Sequence, residues 1–291
     1  MAERAASRPA TAAAPLAGGL GRLAWLLAAP LLLLTAATVL LPFLWRGAAA
    51  LLGCWREAGC EVLYTPYHSQ ALANTVWIGL LSTLLALPVA VAACAAAARR
   101  PAWSSLLRLL GSLGANFAGV PLALAFTLMF GVSGVITQLA GALPFRLDGL
   151  GGLLAAYWCF QLPLATILLL APVQLLDAQW EEAAATLGAS RALYWRRVAL
   201  PLLAPSLVEV GVLLFANAAA AYATPFALAG SSANVLAVRL TALVSGDLFA
   251  DPRLPALLAL EMFMLLAFAM LGGRLLSGWL ARRTLGPGAA P

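Results

Sequence analysis

Two carboxylates, Glu209 and Glu261, stand inside long apolar runs. An ionisable group in that setting is costly, so it pairs, faces a water-filled cavity or relays protons. Both lie close to the ends of their runs, which favours a structural role. The rest of the reactive inventory is small. His68 is the only histidine, and all 17 basic residues are arginine. A phosphate-binding loop of the G-x-x-x-x-G-K-[ST] type needs a lysine, so the chain has no such route to ATP hydrolysis. One histidine and no clustered intramembrane carboxylates give no acid–base pair and no metal site. Cys54 and Cys60 share a loop, where they would bridge in an oxidising compartment or stand as free thiols. No second pair of ligands turns them into a zinc site. Cys94 and Cys159 fall within apolar runs and read as packing residues.

The densest charge lies between residues 177 and 201. Asp177 is placed to cap a helix, with Glu181 and Glu182 in the first turn, where negative charge meets the positive end of the helix dipole. Ala183, Ala184, Ala185 and Leu187 continue a small-residue surface that Gly188 ends. A second amphipathic piece sets Leu193, Tyr194, Trp195 and Val198 against Arg191, Arg196 and Arg197. Pro201 then opens an apolar run, as proline does in a first helical turn. The expected shape is a short helix, a turn and a helix returning to the membrane.

The elements that position this knob follow from hydropathy. The chain is 63% hydrophobic and 10% charged, far below the ~25% charged residues of a soluble domain. Apolar stretches at about 23–44, 71–98, 109–130, 151–175, 202–228 and 255–280 each reach the roughly 20 residues needed to cross hydrocarbon. The expected fold class is all-α, a polytopic membrane protein of six spans. Twelve arginines fall on the side of both termini and the Glu182 segment; Arg46, Arg56, Arg146, Arg239 and Arg253 fall on the other. That bias places both termini and the Glu182 segment in the cytoplasm. The net charge of +6 is spread along span ends rather than clustered on a soluble face, which speaks against nucleic acid. Residues 1–21 read as a disordered cytoplasmic tail, 22–69 as the first span and an external loop, 70–283 as the core, and 284–291 as a second tail. The first apolar run is longer than a signal-peptide h-region and lacks a convincing cleavage site.

Glu182-Ala183-Ala184, then Gly188 after three positions, then Val198-Ala199-Leu200-Pro201 after nine more, resemble the cytoplasmic loop signature of permease subunits of ABC importers served by an external binding protein. Val198 stands where isoleucine is commoner. The likeness extends in layout over about 70–280. It implies the type I importer permease fold, in the plasma (inner) membrane, with a coupling helix that docks into a cleft on a cytoplasmic ATPase dimer. Glu181, Glu182, Ala183, Ala184 and Gly188 are then the docking residues, with Leu200 and Pro201 setting the return to the membrane. The implied partners are that ATPase, a second permease subunit (identical or homologous), an extracytoplasmic substrate-binding protein and membrane lipid. ATP and magnesium belong to the ATPase, and this chain carries no cofactor.

In such a pair the route runs between the two permeases, and polar residues within spans are its candidate lining: Asn217, Tyr222, Thr224 and Gln161, with Pro225 as a kink. Asn74 and Thr75 open the second span and read as a helix cap. Tyr222-Ala223-Thr224-Pro225 and Ser245-Gly246-Asp247 look most like permeases for polyamine, thiamine, iron or sulfate. The external acids Asp148, Asp247 and Asp251 lean that reading towards a polyamine-like organic cation. The alternative is a self-powered secondary transporter or channel, with Glu209 and Glu261 as its coupling carboxylates. Inverted repeats would support that alternative, and none is evident.

Overall fold

A computed structural model describes residues 28–30, 33–57, 65–140, 146–246 and 253–285. The tail at 1–21, Cys60, Asp247 and Asp251 lie outside the described residues, as does the side chain of Cys54, so the expected bridge does too. In chain order the elements are α1 (Leu41–Glu57), which follows a π-helical turn at Ala36–Leu40, α2 (Pro66–Ala97), α3 (Pro101–Asn116), α4 (Val120–Phe130), α5 (Val135–Ala140) and α6 (Leu150–Gln174). There follow α7 (Ala178–Thr186), α8 (Arg191–Tyr194), α9 (Leu200–Ala220), α10 (Ala223–Ala229), α11 (Leu236–Gly246) and α12 (Arg253–Leu285). The described residues contain no strand. Among them, six stretches are long and apolar enough to cross a membrane: Ala28–Gly53, Pro66–Ala97, Val120–Leu139, Leu150–Gln174, Arg191–Ala220 and Arg253–Thr284. The protein is a polytopic all-α membrane protein.

The helices are brought close by small residues, because in lipid tight packing rather than escape from water drives helix association. α2 packs most extensively on α6, α9 closes against both, and α12 lies along α9. Ala86, Ala90 and Ala165 are fully buried at the centre of one core cluster, with Leu169, Leu203 and Leu214 around them. A Cβ on Gly79 would come within 3.0 Å of the Phe215 ring. α3 lies on α6 through Gly111 and Gly114; a Cβ on Gly111 would approach Ile167 to 2.8 Å, and one on Gly114 would approach Pro163 to 2.6 Å.

Two expected spans are interrupted. The run 109–130 is not one helix, because the chain breaks between α3 and α4 at Gly119, whose φ is +86°, and Pro121 stands in the first turn of α4. The run 202–228 stops at Ala220, and Pro225 belongs to the start of α10 rather than to a kink in a continuous span. The two breaks face each other. Gly119 N–H donates to Thr224 Oγ1 at 3.0 Å, and the Ala221 carbonyl accepts from the Tyr157 hydroxyl at 3.3 Å. Backbone groups released within apolar surroundings need such partners. At its other end this span begins earlier than expected. Residues 191–220 form one rod that passes through a π-helical turn at Trp195–Ala199. Pro201 stands in the first turn of α9, as expected. It has no N–H for the preceding turn and its ring crowds the carbonyl four residues back, and a π turn accommodates it directly before.

Asn74 and Thr75 do not open a helix either, since α2 starts nine residues before Thr75. Thr75 nevertheless serves as a cap for a distant element. Its Oγ1 accepts the Leu236 amide, the first of α11, at 2.8 Å, and Asn74 Nδ2 donates to the Asn234 carbonyl at 3.0 Å.

Candidate functional site

The loop between α6 and α9 forms the projecting feature foreseen from its residues. Asp177 is the N-cap of α7, its carboxylate accepting the Gln179 amide at 2.9 Å. None of α7 is buried, so packing against the rest of the chain does not hold it. The helix ends in a Schellman turn: Gly188 N–H reaches the Ala185 carbonyl at 2.9 Å and Ala189 N–H the Ala184 carbonyl at 3.0 Å. That turn needs the left-handed backbone of Gly188, at φ +79°. Ser190 then caps α8, accepting from the Leu193 amide at 3.3 Å.

The two glutamates of α7 have different surroundings. Glu181 turns inward to Arg99, at the end of α2, and to Arg191, 3.4 Å away in α8. It ties the knob to the bundle, and its side chain is only 21% exposed. Both arginines are more than half exposed, so each pair contributes at most about 1 kcal/mol. Glu182 lies beyond the first turn and is exposed. With it on the surface are Ala183, Trp180 and Leu187, the last 88% exposed. Trp180, Ala183, Ala184 and Leu187 follow the i, i+3, i+4, i+7 spacing of one helical face. Trp180 was missed by reading the loop as charged and small; the spacing was the signal for it. Leu200 and Pro201 lie further along the rod, where Leu200 lines a groove of about 510 Å³ with Pro88, Val91 and Trp195. They are not part of the α7 surface.

The four candidate pathway residues divide in two. Gln161 is fully buried; it donates to Ser82 Oγ at 2.8 Å and accepts from Thr83 at 3.2 Å, joining α6 to α2. Thr224 is likewise buried and spent on Gly119. Neither reaches a surface that solute could touch. Asn217 is exposed on α9, in line with Glu209, Leu213 and Ala220, and Tyr222 is half-buried and stacked on Phe226 at 5.2 Å.

Glu261 belongs to a separate cluster at the far end of the bundle from α7. Its Oε2 lies 2.9 Å from Nε2 of the buried His68, and Arg239 approaches His68 Nδ1 at 3.0 Å while covering the Tyr67 ring. An arginine can only donate, so Nδ1 accepts and the imidazole proton sits on Nε2, although neither Nε2 nor Glu261 Oε2 makes a well-aligned hydrogen bond. Glu209 is elsewhere: its neighbour Gly211 abuts Leu87 of α2, roughly five turns or ~28 Å along that helix from His68. The two carboxylates do not form a relay pair.

No family model matches the chain. Over 216 residues it is 29% identical to the probable ABC transporter permease protein y4fN of Sinorhizobium fredii, a match covering 72% of this chain and 37% of the relative. The chain thus spans little more than a third of that relative's length. In fold it is similar to a chain in the crystal structure of a bacterial alginate ABC transporter in complex with an alginate pentasaccharide-bound periplasmic protein, with a TM-score of 0.65, 17% identity, and coverage of 90% of this chain and 96% of that one. A second such structure, of a bacterial ABC transporter involved in the import of the acidic polysaccharide alginate, gives 0.66, 16%, 90% and 98%. The chain therefore has the fold of these transporter chains.

Proposed function

We infer that the chain is the permease subunit of an ATP-driven importer, forming half of a solute route and coupling it to a separate ATPase through residues 177–191. The observation that carries this is α7: a capped helix with no buried residue, closed by a glycine turn, on a fold similar to those of alginate ABC transporters. A membrane protein keeps an apolar face such as Trp180, Ala183, Ala184 and Leu187 in water when a partner covers it. Glu182 lies beside that face and supplies charge to orient the partner. Without a lysine the chain has no P-loop of its own, so the nucleotide and its magnesium belong to that partner. The positive-inside bias supports a cytoplasmic α7 and cytoplasmic termini on this reading, in an inner-membrane protein.

The exposed stripe of α9 supports the second half of the reading. Glu209, Leu213, Asn217 and Ala220 turn away from the rest of the chain. A carboxylate and an amide facing lipid would be costly; facing a second permease subunit across a hydrated route, they are accommodated. Asn217 and Tyr222 are the lining residues that remain, and solute reaches them from an external binding protein. The lean towards an organic cation is not kept. Of its acids, Asp148 is paired with Arg146 at 3.1 and 2.8 Å, which holds its carboxyl below the usual range with a cation already beside it.

Reconstitution tests the reading. Uptake into vesicles should require an ATPase subunit, ATP and a loaded binding protein. Uptake by the purified chain alone, driven by a proton gradient and indifferent to ATP, would overturn it.

A further inference from the structure

A cavity of about 640 Å³ lies where the end of α2 meets the start of α3, at the same end of the bundle as α7. Its floor is apolar, made by Ala96, Trp103, Leu106 and Leu110, and Arg99, Arg100 and Arg191 line it as well. Glu181 takes up part of Arg99 and Arg191, yet their side chains remain 54% and 64% exposed. Each guanidinium has five donors in a fixed fork, so both have donors to spare. Arg100 has no side-chain hydrogen bond or ion pair among the described residues, and its side chain is exposed. Asp177 and Glu181 share the adjoining pocket with Arg99 and Arg191, so the rim keeps one uncompensated positive charge, with Arg100 the arginine that has no partner among the described residues.

The floor does not end at the cavity. Leu106, Leu110 and Leu113, at i, i+4 and i+7 on α3, are 44%, 55% and 62% exposed. The opposite face of α3 lies on α6 as far as Pro163, near the middle of that span. The leucine stripe therefore runs from the arginine rim to the level of the middle of the α6 span. A free anion would use only the rim. A molecule with an anionic head and an apolar tail uses both, and Trp103 lies where interfacial tryptophans lie.

We propose that this cavity binds an anionic phospholipid, with the phosphodiester on Arg100 and the outward faces of Arg99 and Arg191 and one acyl chain along Leu106 and Leu110. Basic pockets beside transmembrane helices suit such headgroups. The site is separate from the solute route and needs only that this end of the bundle meets a membrane surface, so it stands or falls apart from the importer reading. Because Arg99 and Arg191 also hold Glu181, the headgroup shares its ligands with the base of α7.

Native mass spectrometry of the purified chain, titrated with phosphatidylglycerol, phosphatidylcholine or inorganic phosphate, tests the proposal. Wild-type protein should retain phosphatidylglycerol in preference to phosphatidylcholine. R100Q, an exposed substitution, should weaken that retention about fivefold, the worth of one interfacial arginine. R282Q, which removes equal charge from the same end of the bundle, should leave it unchanged, and inorganic phosphate should not compete. Equal retention by R100Q, an equal loss in R282Q, or displacement of the lipid by inorganic phosphate would each overturn the proposal.

Discussion

Gly188→Ala adds one methyl group at a residue whose φ is +79°. Nothing lies within 4 Å of the position that Cβ would take, so no clash arises within the chain. The cost is the left-handed backbone itself, about 1–2 kcal/mol for an ordinary L-residue. α7 has no buried residue to hold the turn against that cost, so it is felt as lost population of the Schellman turn. If the ATPase recognises α7 in this geometry, its apparent affinity falls by the same factor, about five- to thirtyfold. Gly188→Asn separates two explanations. Asparagine is bulkier than alanine but tolerates the left-handed region, so it should cost less than alanine. Were glycine needed for room against the partner, asparagine would be the worse of the two. The assay is a titration of ATPase binding to the reconstituted permease, with membrane insertion of each variant checked separately. Alanine binding like wild type, or asparagine as damaging as alanine, would refute the reasoning.

Glu182→Lys should reduce ATPase co-purification severalfold by reversing an exposed charge beside the docking face; a normal yield of complex would move the contact elsewhere. Gln161→Leu should lower thermal stability by about 1–2 kcal/mol, since it removes two interhelical hydrogen bonds, and should leave substrate-stimulated ATP hydrolysis unchanged in the folded fraction. A change in stimulation at unchanged stability would return Gln161 to the route. Asn217→Ala should alter that stimulation at unchanged melting temperature, and no change in either would shift the lining to other spans.

Hydropathy alone made six crossings legible, because each needs only a sustained apolar run. It could not show where two of those runs break. Gly119 and Pro121, like Thr224 and Pro225, are nearly silent on a hydropathy scale yet decide backbone direction. The Asp177 cap and the Gly188 turn were readable because their determinants are local. The inward turn of Glu181 was not, since Arg99 is 82 residues away in sequence. The same limit misled the pathway reading. Gln161 and Thr224 are polar residues in spans, as lining residues would be, and only the packing shows that each is spent on another helix. Pro201 marked a real discontinuity, the first turn of α9, but not the π turn that joins it to the helical residues before it.

The bond from the Leu236 amide to Thr75 spans 161 residues, and it has a consequence for how the protein is made. Synthesis at 5–20 residues per second separates the two partners by roughly ten to thirty seconds. Until then the Thr75 hydroxyl is not idle, because it donates to the Ala71 carbonyl of its own helix at 2.8 Å. Its acceptor capacity is what remains free. The first half of the protein thus leaves the ribosome carrying a prepared acceptor for a helix start not yet translated, so α11 can settle only against an α2 that is already in place.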